Sequence, residues 1–184
     1  MGEYKPEFNA EKLKELVLYV AERSKSDPNF GAVKLNKILY YADFYAYRKL
    51  GQPITGAEYQ KLPEGPAPRQ FLPARDSLRR DGLIDIEQRQ VFNHVQQRVV
   101  PTQEYRRSLL SDEEIALVDE VIDMLWHKNG REASDMSHDE PGWKVVDYGE
   151  TIPYSTAWLS SEPLTQDQYE RARRVAAKHE LAGR

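Results

Sequence analysis

Apolar residues recur at helical intervals in several stretches of this chain and alternate with polar ones in one. Leu13, Leu16, Val17 and Val20 keep a 3.6-residue spacing that Ala21 extends, and Asn9 stands before them as an N-cap, which predicts a helix running to about Ser24. SKSDPNFG interrupts the pattern with Asp27-Pro28 and Gly31, and the residue before a proline is pushed out of helical space. A second helix then begins near Ala32. In VKLNKILYYADFYAYRKL, Leu35, Ile38, Leu39, Ala42, Tyr45 and Ala46 form one stripe, while Tyr40, Tyr41, Phe44 and Tyr47 carry the apolar surface well beyond it. A helix so nearly encircled is central to a fold or meets a partner. Gly51 ends it, with Pro53 just beyond.

From Gly51 to Pro73 the chain holds five prolines and three glycines, a density that excludes long regular elements. ITGAEYQKLP within it leaves room for a short strand or a turn of helix. A third helix is expected from about Pro68 to Asp81, with Pro73 in its first turn. Ile84 and Ile86 alternate with Asp85 and Glu87, and Val95, Val99 and Val100 follow a reversal at Phe92-Asn93-His94, which reads as a β-hairpin. Ser111 and Glu114 form a capping box for a helix through Ile115, Val118, Ile122 and Leu125, expected to stop at Asn129-Gly130. One short helix should precede Pro141, and Val145, Val146, Ile152 and Tyr154 suggest partial strand. A second capping box, Thr165 to Gln168, announces a last helix over roughly residues 166 to 181.

These elements predict an α+β fold, predominantly α-helical, with five to six helices around a central helix at about 32–50 and one β-hairpin at about 83–100. A single domain over residues 1–184 is expected, with 160–184 as a helical extension.

Composition narrows the chemistry. The chain has no cysteine, which excludes disulfides and thiolate catalysis and suits a reducing cytoplasm. No apolar run reaches membrane-spanning length and the opening residues lack a signal-peptide pattern, so a cytoplasmic protein without membrane contact is expected. A net charge of −4 argues against general affinity for nucleic acid, although Arg79, Arg80, Arg89 and Arg98 would suit a local basic edge beside a winged-helix-like hairpin.

Two groups of residues are candidates for function. Lys34, Lys37, Tyr41 and Arg48 trace one helical line, offering cations beside aromatic faces to a carboxylate or phosphate of a partner. The alternative is a solvated edge with intrahelical pairing. Ser137-His138-Asp139-Glu140 with Trp143 contains the residue types of a nucleophilic triad, but sequence adjacency does not bring such members into catalytic geometry. His138 hydrogen-bonded within the fold is the plainer reading, and a hydrolase centred on it the sharper one. The four histidines make no metal-binding pair on a helix, and no metal or cofactor is expected.

KLNKILYYADFYAYRKLGQPITG, EGPAPRQF and SHDEPGW, in that order, resemble the Panacea domain of bacterial and phage antitoxins. The motif positions are Leu35, Asn36, Tyr40, Asp43, Gly65, Pro66, Ser137, His138 and Trp143, expected to be a structural frame. The resemblance implies an antitoxin, not an enzyme, that neutralises a cognate toxin protein by direct contact. One member of the family is a proteolytic adaptor, so a protease is a further possible partner. Contact residues expected on this basis are Lys34, Lys37, Tyr41, Phe44 and Arg48, with Arg69 in the loop.

Overall fold

In a computed structural model of the chain, residues 6–91 and 94–159 are described, together with 166, 167, 170, 171, 173 and 174 in the tail. The first helix, α1 (Ala10–Arg23), opens with Asn9 Oδ1 accepting from the Lys12 amide at 2.9 Å. The second, α2 (Ala32–Leu50), closes at Gly51, whose φ of 82° lets its N–H return to the Tyr47 carbonyl at 3.1 Å. Both boundaries follow the sequence.

The proline-rich stretch contains a small ladder, β1 (Tyr59–Gln60) antiparallel to β2 (Ala67–Pro68), so the fold has a second two-stranded sheet beyond the expected hairpin. Because Pro68 pairs with Tyr59, the next helix starts later than predicted: α3 spans Phe71–Arg80, with Pro73 in its first turn. The hairpin is present as β3 (Ile84–Val91) and β4 (His94–Pro101), in register from Ile84 opposite Pro101 to Val91 opposite His94. That register brackets the predicted reversal; Phe92 and Asn93 lie outside the described residues.

α4 (Asp112–Leu125) begins with the predicted capping box, Ser111 Oγ accepting from the Glu114 amide and Glu114 Oε2 accepting from the Ser111 amide. It does not run to Asn129-Gly130. Asn129 instead caps α5 (Gly130–His138), with Glu132 completing a second box. The freed end of α4 needs no glycine cap, because the buried Lys34 ammonium donates to the Trp126 and Lys128 carbonyls at 2.9 and 2.8 Å. α6 (Pro141–Lys144) follows, and a 3₁₀ turn covers Tyr154–Trp158. Of the strand expected around residues 145–154, only a single bridge between Thr151 and Gln60 forms. The Thr165 capping box lies outside the described residues.

α2 is the axis. It packs on α1, α4, α5, β2, β4 and the 3₁₀ turn, and its tyrosines meet rings from the surrounding layers. Phe44 stacks on Tyr154 at 4.7 Å and Tyr40 meets Tyr59 edge-on at 5.6 Å. Two buried charged groups fix the periphery to this core. Arg98 on β4 donates to the Asp27, Ser24 and Lys25 carbonyls at 2.7, 2.9 and 2.5 Å and lies over the Phe30 ring, pinning the hairpin to the turn between α1 and α2. Glu15 on α1 accepts from the Ser108 and Leu109 amides at 2.8 and 2.7 Å and from the Tyr105 hydroxyl at 2.9 Å, holding the segment before α4. No helix among the described residues is long and apolar enough to cross a membrane.

Candidate functional site

The three sequence blocks meet beside α2. Gly65 adopts φ 89°, and a side chain there would begin 2.3 Å from Ser137 Oγ and 2.5 Å from Lys37 Cε. Lys37 is 1% exposed and its ammonium donates to the Pro66 carbonyl at 3.0 Å. It makes no ion pair among the described residues, and burial pushes its pKa down to about 7, against a smaller opposing pull from Glu64. Ser137 is fully buried, its hydroxyl donating to the Ser134 carbonyl at 2.6 Å. One residue from each block thus closes a single contact that admits no side chain at position 65.

A polar knot lies on the neighbouring face of α2. The Asp43 carboxylate, with no exposed surface, accepts from the Thr55 amide at 2.7 Å, the Thr55 hydroxyl at 2.5 Å and the Tyr59 hydroxyl at 2.7 Å. Burial raises its pKa, and these hydrogen bonds oppose the rise. Beyond α5, the His138 ring stacks on Trp143 with centroids 4.1 Å apart, and the Lys61 ammonium lies 4.1 Å from the Trp143 ring and 5.1 Å from that of Tyr148. Lys61 also donates to the Val146 carbonyl, so the residues after α6 are clamped to β1.

A family model described as antitoxin SocA-like, Panacea domain, matches residues 35–144, which is more than half of the chain and spans all three blocks. The chain belongs to this family. No curated protein and no solved structure is significantly similar to this Panacea-domain chain.

Within the Panacea domain the motif positions are largely interior: Leu35, Tyr40, Asp43, Gly65, Pro66 and Ser137 are buried, and Asn36, His138 and Trp143 half-buried. The expected contact line fares differently. Lys34, Lys37, Tyr41 and Phe44 are all buried and present no surface to a partner in this conformation. Lys34 makes three hydrogen bonds, to Asp27, Trp126 and Lys128. The Tyr41 hydroxyl is enclosed, its pKa raised by burial and by the charge of Glu140. The reason is long-range: the acceptors of Lys34 at the end of α4 lie 92 and 94 residues away, beyond any sequence spacing. Arg48 and Arg69 are exposed. Arg69 bridges Gln60 and the Gly149 carbonyl, whereas Arg48 forms no hydrogen bond or ion pair among the described residues.

The other two expectations are also changed by the geometry. Arg98 is enclosed by carbonyls and Arg89 pairs with Glu87 at 3.0 Å, so the four arginines compose no continuous basic edge. Ser137 donates to a backbone carbonyl and His138 faces Trp143, with Ser134 Oγ rather than Ser137 at 3.4 Å from its Nε2. Among the described residues no group of three or more His, Asp or Glu side chains is placed to hold a metal ion.

The segment after α6, expected from its sequence to be partial strand, is irregular apart from the Thr151 bridge and the 3₁₀ turn. Four of the nine large exposed apolar side chains among the described residues fall within it: Val145 at 63%, Tyr148 at 64%, Trp158 at 61% and Leu159 at 51%. The Trp158 ring meets Tyr47 of α2 at 6.4 Å, which brings it to the end of the helix that carries Arg48 and the exposed Leu50. The same segment walls a groove of about 1010 Å³ with Phe8, Gly56, Glu58 and Gln70 opposite Ile152 and Tyr154. The run YGETIPYSTAW was the available signal, three aromatic residues in a stretch without helical or strand period.

Proposed function

We propose that this chain is an antitoxin that neutralises a cognate toxin by direct protein contact, and that the toxin binds the aromatic ridge of residues 145–159 together with Arg48. Family membership supports the antitoxin role. The observation that carries the location is the concentration of exposed Val145, Tyr148, Trp158 and Leu159 on one segment clamped to the core. Large aromatic side chains on a rigid support are the usual anchors of protein interfaces, since they bury area with little loss of conformational freedom. Arg48 adds an exposed cation beside them for a carboxylate of the toxin. Binding of this kind needs no turnover, and cytoplasmic action suits it. Delivery of the bound toxin to a protease would be a later step on the same complex.

The test is co-expression with the product of the adjacent open reading frame. The intact chain should restore growth and co-purify with that product. Trp158→Ala combined with Tyr148→Ala should lower affinity by at least tenfold, equivalent to about 1.4 kcal/mol, while circular dichroism stays unchanged. His138→Ala should keep binding. Purified chain that forms no complex with the adjacent product would end the reading.

A further inference from the structure

The outer part of β3 is exposed, while Gln96 across the hairpin on β4 lies against Gly31. Glu87, Gln88, Arg89 and Gln90 are exposed on both faces of β3, and Val95 and Gln97 are exposed on β4. β4 packs on α1 and α2 and β3 on α3, but within the sheet β3 pairs with β4 alone among the described residues, and no further strand lies on its other edge. A two-stranded ribbon is marginal in water by itself, and an open edge presents unpaired amides and carbonyls to any extended chain.

We propose that the free edge of β3 is the interface for a second copy of this chain, paired antiparallel about Gln88. Charge complementarity favours this partner and this register. Glu87 and Arg89 flank Gln88 and point to the same face. A two-fold axis through Gln88 sets Glu87 opposite the second copy's Arg89, and Arg89 opposite its Glu87, while the two Gln88 side chains meet on the other face. Moving the axis to residue 87 sets two glutamates face to face, and moving it to residue 89 sets two arginines face to face. Charges that usually keep edges apart therefore select one register here. Glu87 and Arg89 already pair within the strand at 3.0 Å, with 46% and 52% of their side chains exposed, so association exchanges partners and strands neither charge. The product is a four-stranded sheet. Its contact is small, which places the dimer among transient, concentration-dependent ones.

Two experiments test it on the full chain. Gln88→Cys introduces the sole thiol of a chain without cysteine. Directly opposed antiparallel residues have Cα atoms about 4.5–5.5 Å apart, within disulfide reach. Mild oxidation should give a covalent dimer, whereas Gln97→Cys, exposed opposite Gln88 on β4, should stay monomeric. In sedimentation from micromolar to millimolar chain, wild type should move from monomer to dimer. Glu87→Arg and Arg89→Glu should each stay monomeric yet form a heterodimer when mixed. A wild-type monomer throughout the range, cross-linking no greater at position 88 than at 97, or single-charge variants that dimerise like wild type would each overturn the proposal. Loss of toxin binding by the charge variants of a monomeric chain would also overturn it, assigning the edge to the toxin.

Discussion

The Lys34 ammonium and the Asp27 carboxylate lie 2.6 Å apart with side chains 1% and 2% exposed. Lys34 also donates to the Trp126 and Lys128 carbonyls just past α4, so one side chain joins the turn between α1 and α2 to the end of the helix packed on α2. Lys34→Met leaves a buried carboxylate without its cation. Urea unfolding should show a loss of about 3–5 kcal/mol, and adding Asp27→Asn should return part of it. Equal stability of Lys34→Met and wild type would contradict the role.

Asp43 gathers Thr55 and Tyr59 onto α2. Asp43→Ala removes the acceptor of the Thr55 amide and hydroxyl and leaves the Tyr59 hydroxyl only the Leu39 carbonyl, and should cost roughly 3 kcal/mol, since each orphaned buried group is expensive. Asp43→Asn keeps one oxygen and should lose less. Thermal melting of the two variants distinguishes them, and a larger loss for Asn than for Ala would show that the knot is not built on these acceptances.

Lys37 gives the stability curve a slope on the alkaline side. The ordinary lysine value is 10.5, and burial lowers it in the fold to about 7. Between those values the unfolded chain holds the extra proton, so stability rises with pH across that window and is lost as pH falls back towards 7. Relative to Lys37→Met, wild type should therefore gain stability from neutral pH upward. Parallel curves would show that the amine titrates as it does in water.

Glu15 acts at the acid end. Burial alone would raise its pKa, but the Ser108, Leu109 and Leu110 amides and the Tyr105 hydroxyl together bring it below the ordinary carboxylate value of 4.5. Stability from this group is full above that value and disappears as pH falls through the folded one. Glu15→Gln should lower stability at neutral pH and flatten the acid limb. Proteolysis near residues 105–110 should quicken in the same variant, and unchanged cleavage would argue against the anchoring.

Local chemistry was readable from the chain wherever it acts over a few residues. Asn9, Gly51 and the Ser111–Glu114 pair marked their boundaries, and the alternation around Ile84 gave the hairpin. Asn129 was misassigned as a helix end although Glu132 three residues on made the start legible. The surface was the harder part. Lysines on an aromatic helix look solvated until the carbonyls that receive them are known, and those come from the loop after β1 and the end of α4. The exposed aromatics of residues 145–159 carry no periodic mark, because irregular backbone sets their direction.

Since Gly65 lies against both Lys37 and Ser137 away from solvent, the sequence signature whose three blocks meet there is a keystone rather than a label of target. Relatives that kept these three positions would keep the joint, whatever toxin they meet. On the proposed geometry, grouping them by the signature would sort architecture, while grouping them by the ridge would sort enemies.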